Sequence, residues 1–195
     1  MEAAEKRPVS NIIVTGITGS GKTALAWQLA KILNMGFLDL DAFIEKDTGQ
    51  SIAELFSEFG ESGFRQIEGD MIKRLSTIKS HVIAAGGGAL TSDENLQRAQ
   101  KIGTTVWVKA PIKNIATHLA MKPSEIEKRP LIKEAISIES KDERIDFIYK
   151  KLNSIQEERQ KYYEKSDIVY LSDFSTPELS AQRIKYQLSQ SGFLV

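Results

Sequence analysis

Along the 195-residue chain the apolar positions switch repeatedly between two periods. Short continuous apolar runs, which read as buried strands, alternate with stretches where apolar residues return every three or four positions, as on one face of a helix. Asn11-Ile12-Ile13-Val14-Thr15 is the first run, and Thr23-Ala24-Leu25-Ala26-Trp27-Gln28-Leu29-Ala30, a series of good helix formers, follows it. Met35-Gly36-Phe37-Leu38-Asp39 predicts a second strand. Helices follow around 43–46 and 52–59, then a long one over about 61–78 whose core stripe is Phe64, Ile67, Met71, Leu75 and Ile78. Val82-Ile83-Ala84-Ala85 predicts the third strand, Thr91 with Glu94 a capping box opening the next helix, and Thr104-Thr105-Val106-Trp107-Val108 the fourth strand. Beyond lie a short helix, a polar stretch over 121–133, a long helix over about 142–164 and a fifth strand at Ile168-Val169-Tyr170-Leu171. Thr176-Pro177, a cap residue followed by proline at the first helical position, starts the last helix. Alternation of this kind predicts an α/β fold with a parallel sheet covered on both faces, and ligands beyond the carboxyl ends of its strands.

Composition narrows the classes without choosing among them. The chain holds no cysteine, which rules out a disulfide framework, a thiolate zinc site and a cysteine nucleophile, and makes a reducing cytoplasm the expected location. With 26 basic and 26 acidic residues there is no global field to gather nucleic acid or an anionic membrane. The N-terminal Met1-Glu2-Ala3-Ala4-Glu5-Lys6-Arg7-Pro8 has no apolar stretch, and no later run approaches a membrane span. One domain over 1–195, soluble and monomeric, is the expectation.

The most specific chemistry lies between the first strand and the first helix. Gly16-Ile17-Thr18-Gly19-Ser20-Gly21-Lys22-Thr23 matches G-x-x-x-x-G-K-[ST] in full. In that context consecutive backbone N–H groups and the positive end of the helix dipole converge on an anion, Lys22 reaches the β- and γ-phosphates, and the Thr23 hydroxyl can ligate Mg²⁺. At the end of the second strand Asp39 and Asp41 are two apart, so on an extended chain both face one site. One could support Mg²⁺ and the other accept a proton from an attacking hydroxyl; equally, Asp41 could do no more than cap the next helix. Arg65 and Glu68, three apart on a helix, would suit a surface ion pair or a guanidinium held ready for a substrate carboxylate. Gly86-Gly87-Gly88 at a strand end suggests a plain loop or backbone pressed against a ligand. His81 reads as a strand-edge residue, and Trp27 and Trp107 as core aromatics.

Several motifs together resemble one family. Gly16-x-x-Gly19-Ser20-Gly21-Lys22-Thr23, Phe37-Leu38-Asp39-Leu40-Asp41, Asp47-Thr48-Gly49-Gln50-Ser51-Ile52-Ala53-Glu54-Leu55-Phe56, Gly60-Glu61-Ser62-Gly63-Phe64-Arg65-Gln66-Ile67-Glu68, Ala85-Gly86-Gly87-Gly88 and Arg129-Pro130-Leu131 follow one another as in shikimate kinases. The resemblance covers nearly the whole chain. It implies a P-loop NTPase fold, a nucleoside-monophosphate-kinase-like three-layer sandwich with a five-stranded parallel sheet and a mobile lid. It also implies MgATP as donor and transfer of the γ-phosphoryl group to the 3-hydroxyl of shikimate. Carried over, it puts Gly19, Ser20, Gly21, Lys22, Thr23 and Ala24 on ATP, with Thr23 and Asp39 on the metal and Asp41 as base and substrate ligand. Arg65, Gly87 and Gly88 match substrate-binding positions, and Arg129, before Pro130, matches a catalytic lid arginine that closes over ATP. The lid would span about 121–133 and the substrate-binding helical region about 41–70.

A second substrate arginine of the family sits four residues before a tyrosine, and Arg159 with Tyr163 fits. The helical wheel supports this independently: Ile145, Ile148, Leu152, Ile155, Arg159 and Tyr162 fall on one stripe, where an unpaired charge is costly and an anionic ligand would resolve the conflict. Three departures stand out. Ala24 replaces a second hydroxyl residue, His118 stands where an arginine commonly stacks on adenine, and the segments from His118 to Arg129 and from Arg129 to Arg159 are longer than usual. The 121–133 stretch shows no apolar stripe to pin it to the core and is expected to be mobile without nucleotide. Three functions remain open at this stage: a shikimate kinase, a kinase of the same fold for another acceptor such as gluconate or a nucleoside monophosphate, and a nucleotide-binding module without catalysis.

Overall fold

Strands β1 (Asn11–Thr15), β2 (Gly36–Asp39), β3 (His81–Ala84), β4 (Thr104–Lys109) and β5 (Ile168–Leu171) form one parallel sheet in the order β2-β3-β1-β4-β5. The computed structural model describes residues 10–193; the N-terminal segment 1–8 read above lies outside them. The central strand β1 is buried throughout, as its β-branched run requires, and pairs Ile12 with Val82 on one side and Thr104 on the other. Asn11 fixes where it starts: its Nδ2 donates to the carbonyls of Ile78 (2.8 Å) and Ile102 (3.0 Å), and its Oδ1 accepts from the His81 N–H.

Alternation along the strands sorts the helices. Ile12 and Val14 face α1 (Lys22–Leu33) and α8 (Pro177–Gln190), burying Leu25, Leu29, Ile184 and Leu188. Ile13 and Ile83 face the opposite layer, made by α2 (Leu40–Thr48), α3 (Ile52–Arg74) and α4 (Asp93–Ile102). A third cluster joins Ile17 to α5 (Ile112–Ala120), α6 (Pro123–Glu127), a 3-10 segment Pro130–Ser137 and α7 (Lys141–Tyr163). The result is the three-layer sandwich with the expected five-stranded parallel sheet, and the loop after β1 opens at the strands' carboxyl ends. Among the described residues no helix is long and apolar enough to cross a membrane.

Local corrections have physical causes. Ser92, not Thr91, caps α4 by accepting the Asn95 N–H, while Thr91 turns its hydroxyl onto the Gly88 carbonyl and Glu94 pairs with Arg98. The capping box is at Ser51 and Glu54, opening α3. Within α3, Gly60 (φ 67, ψ −178) breaks the helix where separate segments were expected, and the second ends at Arg74, followed by a 3-10 turn over Leu75–Thr77. Trp107 is buried against Tyr163, but Trp27 is 50% exposed beneath Lys31 Nζ. Its neighbours Leu25, Ala26 and Leu29 already fill the inner face of α1. On α7 the buried tyrosine is Tyr163 rather than Tyr162. The 121–133 stretch does have apolar contacts with the core, since Ile126 and Ile132 are fully buried in the third cluster. Two isolated isoleucines make no periodic stripe, which is why the pattern missed them. His81 begins β3 with its Nδ1 2.7 Å from the Lys79 carbonyl, at the strand edge.

Candidate active site

The loop after β1 leaves the strand at Gly16, whose φ of +148° and whose virtual Cβ, 2.6 Å from the Val108 carbonyl oxygen, exclude a side chain. It enters α1 through Gly21, which caps the helix without a side-chain acceptor and with no acidic residue in the first turn. That N-terminus is therefore open to an external anion. Thr18, Gly19, Gly21, Lys22, Thr23 and Ala24 line a cavity of about 490 Å³. Ser20 does not line it: its N–H donates to the Ile17 carbonyl and its buried hydroxyl has no partner.

The two aspartates divide their work differently from an extended pair. The chain turns helical at Leu40, so Asp39 is the cap of α2, its Oδ1 accepting from the N–H groups of Asp41 (3.0 Å) and Ala42 (3.2 Å). Asp41 sits in the first helical turn and lines the cavity, while Asp39 does not. Both carboxylates still act on Lys22: burial lowers its pKa, opposed chiefly by Asp41 and less by Asp39. Burial raises the Asp41 pKa, with Lys22 working against the shift. A carboxyl raised in this way is a stronger proton acceptor when ionised.

Arg65, Glu68, Glu61 and Arg159 form a network of four charges. Arg65 Nη1 donates to Glu68 Oε2 at 2.5 Å, Arg65 Nη2 to Glu61 Oε1 at 2.7 Å, and Arg159 Nη2 to the same Glu61 Oε1 at 3.2 Å. Thus Arg159 is buried on α7, and within the chain Glu61 supplies an anionic partner for it. Glu68 is fully buried, and burial pushes its pKa up to about 7 against the pull of Arg65; its Oε1 has no hydrogen-bond partner. The glycine turn presses on these protein groups. A Cβ at Gly86 would stand 2.6 Å from Glu68 Oε1 and 2.8 Å from Asp41 Oδ1, and one at Gly88 would strike the Arg65 guanidinium at 2.1 Å. Gly87 accepts the Tyr163 hydroxyl at 2.5 Å.

The same cavity is lined by His118 and Leu119 from α5 and by Glu125, Lys128 and Arg129 from the 121–133 segment. Arg129 Nη1 is held by the Glu125 carbonyl and carboxylate, and its Nε is buried without a partner. Every candidate site residue except Ser20 and Asp39 therefore lines one cavity. Sequence reasoning passed over Glu61, Glu125 and the Tyr163 hydroxyl. Glu61 and Glu125 each lie four residues before an arginine already singled out, Arg65 and Arg129, and that helical spacing was the available signal.

A phosphate loop opening onto a cavity that is also lined by Asp41, Arg65, Arg129 and Arg159 defines a P-loop kinase for a small acceptor. The family described as shikimate kinase matches residues 18–189. A shikimate kinase from Thermodesulfovibrio yellowstonii is 38% identical over 176 residues, covering 90% of this chain and 93% of that protein. Among solved structures, shikimate kinase from Acinetobacter baumannii in complex with shikimate superposes with a TM-score of 0.81 at 29% identity, covering 96% of both chains. Shikimate kinase from Bacteroides thetaiotaomicron gives 0.77 at 30% identity, covering 93% of this chain and 99% of that one. The chain belongs to the shikimate kinase family.

Proposed function

We propose that this protein transfers the γ-phosphoryl group of ATP to the 3-hydroxyl of shikimate, giving ADP and shikimate 3-phosphate. The observation that carries the reading is the placement of Asp41 in one cavity with Lys22 of the phosphate loop and with Arg65 and Arg159. In this assignment the loop from Gly19 to Ala24 holds the phosphates, with Ser20 shaping the loop from beneath. Arg65 and Arg159 take the acceptor carboxylate as charge-assisted donors, and Gly87 and Gly88 supply backbone along the acceptor. The Asp41 carboxylate accepts the hydroxyl proton as the acceptor oxygen bonds to the γ-phosphorus, and the bond from that phosphorus to the bridging oxygen breaks to release ADP. Lys22 and Arg129 offset charge on the transferring group.

Mg²⁺ fits the oxygens available. Among the described residues no cluster of three acidic, histidine or cysteine side chains could hold a metal. Mg²⁺ needs no such cage, because it keeps waters and phosphate oxygens and takes one or two protein oxygens. Thr23 lines the cavity, and Asp39 keeps Oδ2 free of the cap. When bound, the ion would neutralise charge on the β- and γ-phosphates. We further take the protein as one domain acting as a cytoplasmic monomer, with a lid at about 121–133 and an acceptor-binding region at about 41–70. A single chain supplies every residue assigned, and the cysteine-free sequence suits a reducing compartment.

A coupled ADP-release assay with shikimate, gluconate and nucleoside monophosphates as rival acceptors tests the reading. Shikimate-dependent release is expected; release with gluconate or a nucleoside monophosphate but not shikimate, or none at all, would overturn it.

A further inference from the structure

Glu61 Oε1 is shared by two guanidinium groups from different helices, Arg65 Nη2 of α3 at 2.7 Å and Arg159 Nη2 of α7 at 3.2 Å. The two arginine side chains are 23% and 10% exposed, whereas that of Glu61 is 50% exposed, so a carboxylate from the rim reaches inward onto cations set deeper than itself. One oxygen bridging two guanidinium donors is the arrangement an acceptor carboxylate would make with this pair. Glu61 and an acceptor carboxylate would compete for the same two guanidinium groups.

We propose that Glu61 is an internal stand-in for the acceptor carboxylate, seated on Arg65 and Arg159 in the free protein and displaced when the acceptor binds. The proposal rests on the assignment of those arginines to the acceptor carboxylate. Two features make the exchange feasible. Glu61 follows Gly60, whose φ of 67 and ψ of −178 interrupt α3, so Glu61 opens the second helical segment instead of lying within a continuous one. Displacement also replaces one carboxylate by another, leaving the charge around the arginines unchanged, with Glu68 still on Arg65 Nη1. The two guanidinium groups outweigh burial in setting the Glu61 pKa, which lies below the ordinary value, so the stand-in is ionised at neutral pH. Until the acceptor arrives, Glu61 keeps the paired cations from collecting other anions, and the acceptor must compete with it.

The experiment compares the full-length protein with Glu61→Gln and Glu61→Asp, reading the shikimate Kd by calorimetry and KM and kcat by ADP release. Glu61→Gln is expected to tighten shikimate about three- to ten-fold, since a partly exposed ion pair is worth around a kcal/mol and tenfold corresponds to 1.4. The gain should fall on KM rather than kcat. Glu61→Asp, one methylene shorter and unable to span both arginines, should gain less, and circular dichroism confirms that both variants fold. Arg65→Ala and Arg159→Ala serve as controls. If both raise KM while Glu61→Gln leaves it unchanged or raises it, Glu61 is an orienting residue and the stand-in is overturned, with the arginine assignment intact. If neither arginine variant changes KM, the assignment fails and the proposal with it.

Discussion

Tyr163 donates its hydroxyl to the carbonyl oxygen of Gly87 at 2.5 Å, tying the end of α7 to the glycine turn that lines the cavity. The ring is fully buried and stacks on Trp107 with centroids 5.4 Å apart, so the hydroxyl has little freedom to leave. Arg159 lies one helical turn earlier on α7. The bond therefore sets the position of Arg159 relative to the backbone at Gly87 and Gly88.

Tyr163→Phe should keep the ring stack and lose only that bond. Because Gly87 is half-buried and lines the cavity, where water can reach its carbonyl, the loss should cost about 0.5–1.5 kcal/mol, read from urea unfolding. In steady-state kinetics the shikimate KM should rise more than the ATP KM. Equal changes in both would mean that the bond supports the fold generally and does not set the acceptor side.

Asp41→Asn keeps the shape of the side chain and removes its capacity to take a proton. Turnover should fall by about two to four orders of magnitude, the usual worth of a positioned base, while ATP affinity changes little. Near-full turnover in Asp41→Asn would remove Asp41 from the role of base.

Glu68 gives the protein a pH signature. Its pKa is raised from 4.5 to about 7 because burial favours the neutral acid. A group raised on folding contributes stability that is complete below its unfolded pKa and is lost as pH rises through the folded one. On account of Glu68, stability should thus decline between about pH 4.5 and 7. Glu68→Gln, which cannot ionise, should flatten this decline in urea unfolding measured at several pH values across that window. An unchanged slope would show that the Glu68 carboxyl does not titrate there.

Much of the fold was legible because its strands are short β-branched runs: the bounds of β1 and β5 are those of their apolar runs. The phosphate loop was legible as well, since its glycines answer to backbone geometry that no other residue satisfies, as the Val108 carbonyl beside Gly16 shows. Harder to read were features set by tertiary pairing. Nothing in the local pattern says that Glu61 meets Arg159, 98 positions away, or that Tyr163 meets Gly87, 76 away. The Asp39 and Asp41 pair was misread in geometry because the strand-to-helix switch falls between them, turning a shared face into a cap and a first-turn residue. Trp27 was misplaced because a helix holding enough small and branched residues to fill its inner face leaves a large aromatic outside.

The 121–133 segment carries Arg129. Ile126 and Ile132 anchor it in the cluster formed with α5 and α7, so it is held at two points rather than free along its length. Between those anchors Arg129 is tied to Glu125 through both the carbonyl and the carboxylate, while its Nε stays buried and unpartnered. In the role proposed for Arg129, the guanidinium has to exchange the Glu125 carboxylate for phosphate oxygens. Arg129→Ala should then lower turnover by about two to three orders of magnitude, as loss of a donor to developing charge does, and leave the shikimate Kd nearly unchanged. Glu125→Gln, which weakens the competing pair, should lower the ATP KM. Hydrogen exchange across 121–133, with and without a non-hydrolysable ATP analogue, locates the motion. The Arg129 N–H, bonded to the Ile126 carbonyl at 2.9 Å, should be protected even in the free protein, with protection of the flanking residues gained on nucleotide binding. Rapid exchange throughout the free segment would show that the two isoleucines do not hold it, and an unchanged turnover in Arg129→Ala would place the phosphate chemistry on Lys22 alone.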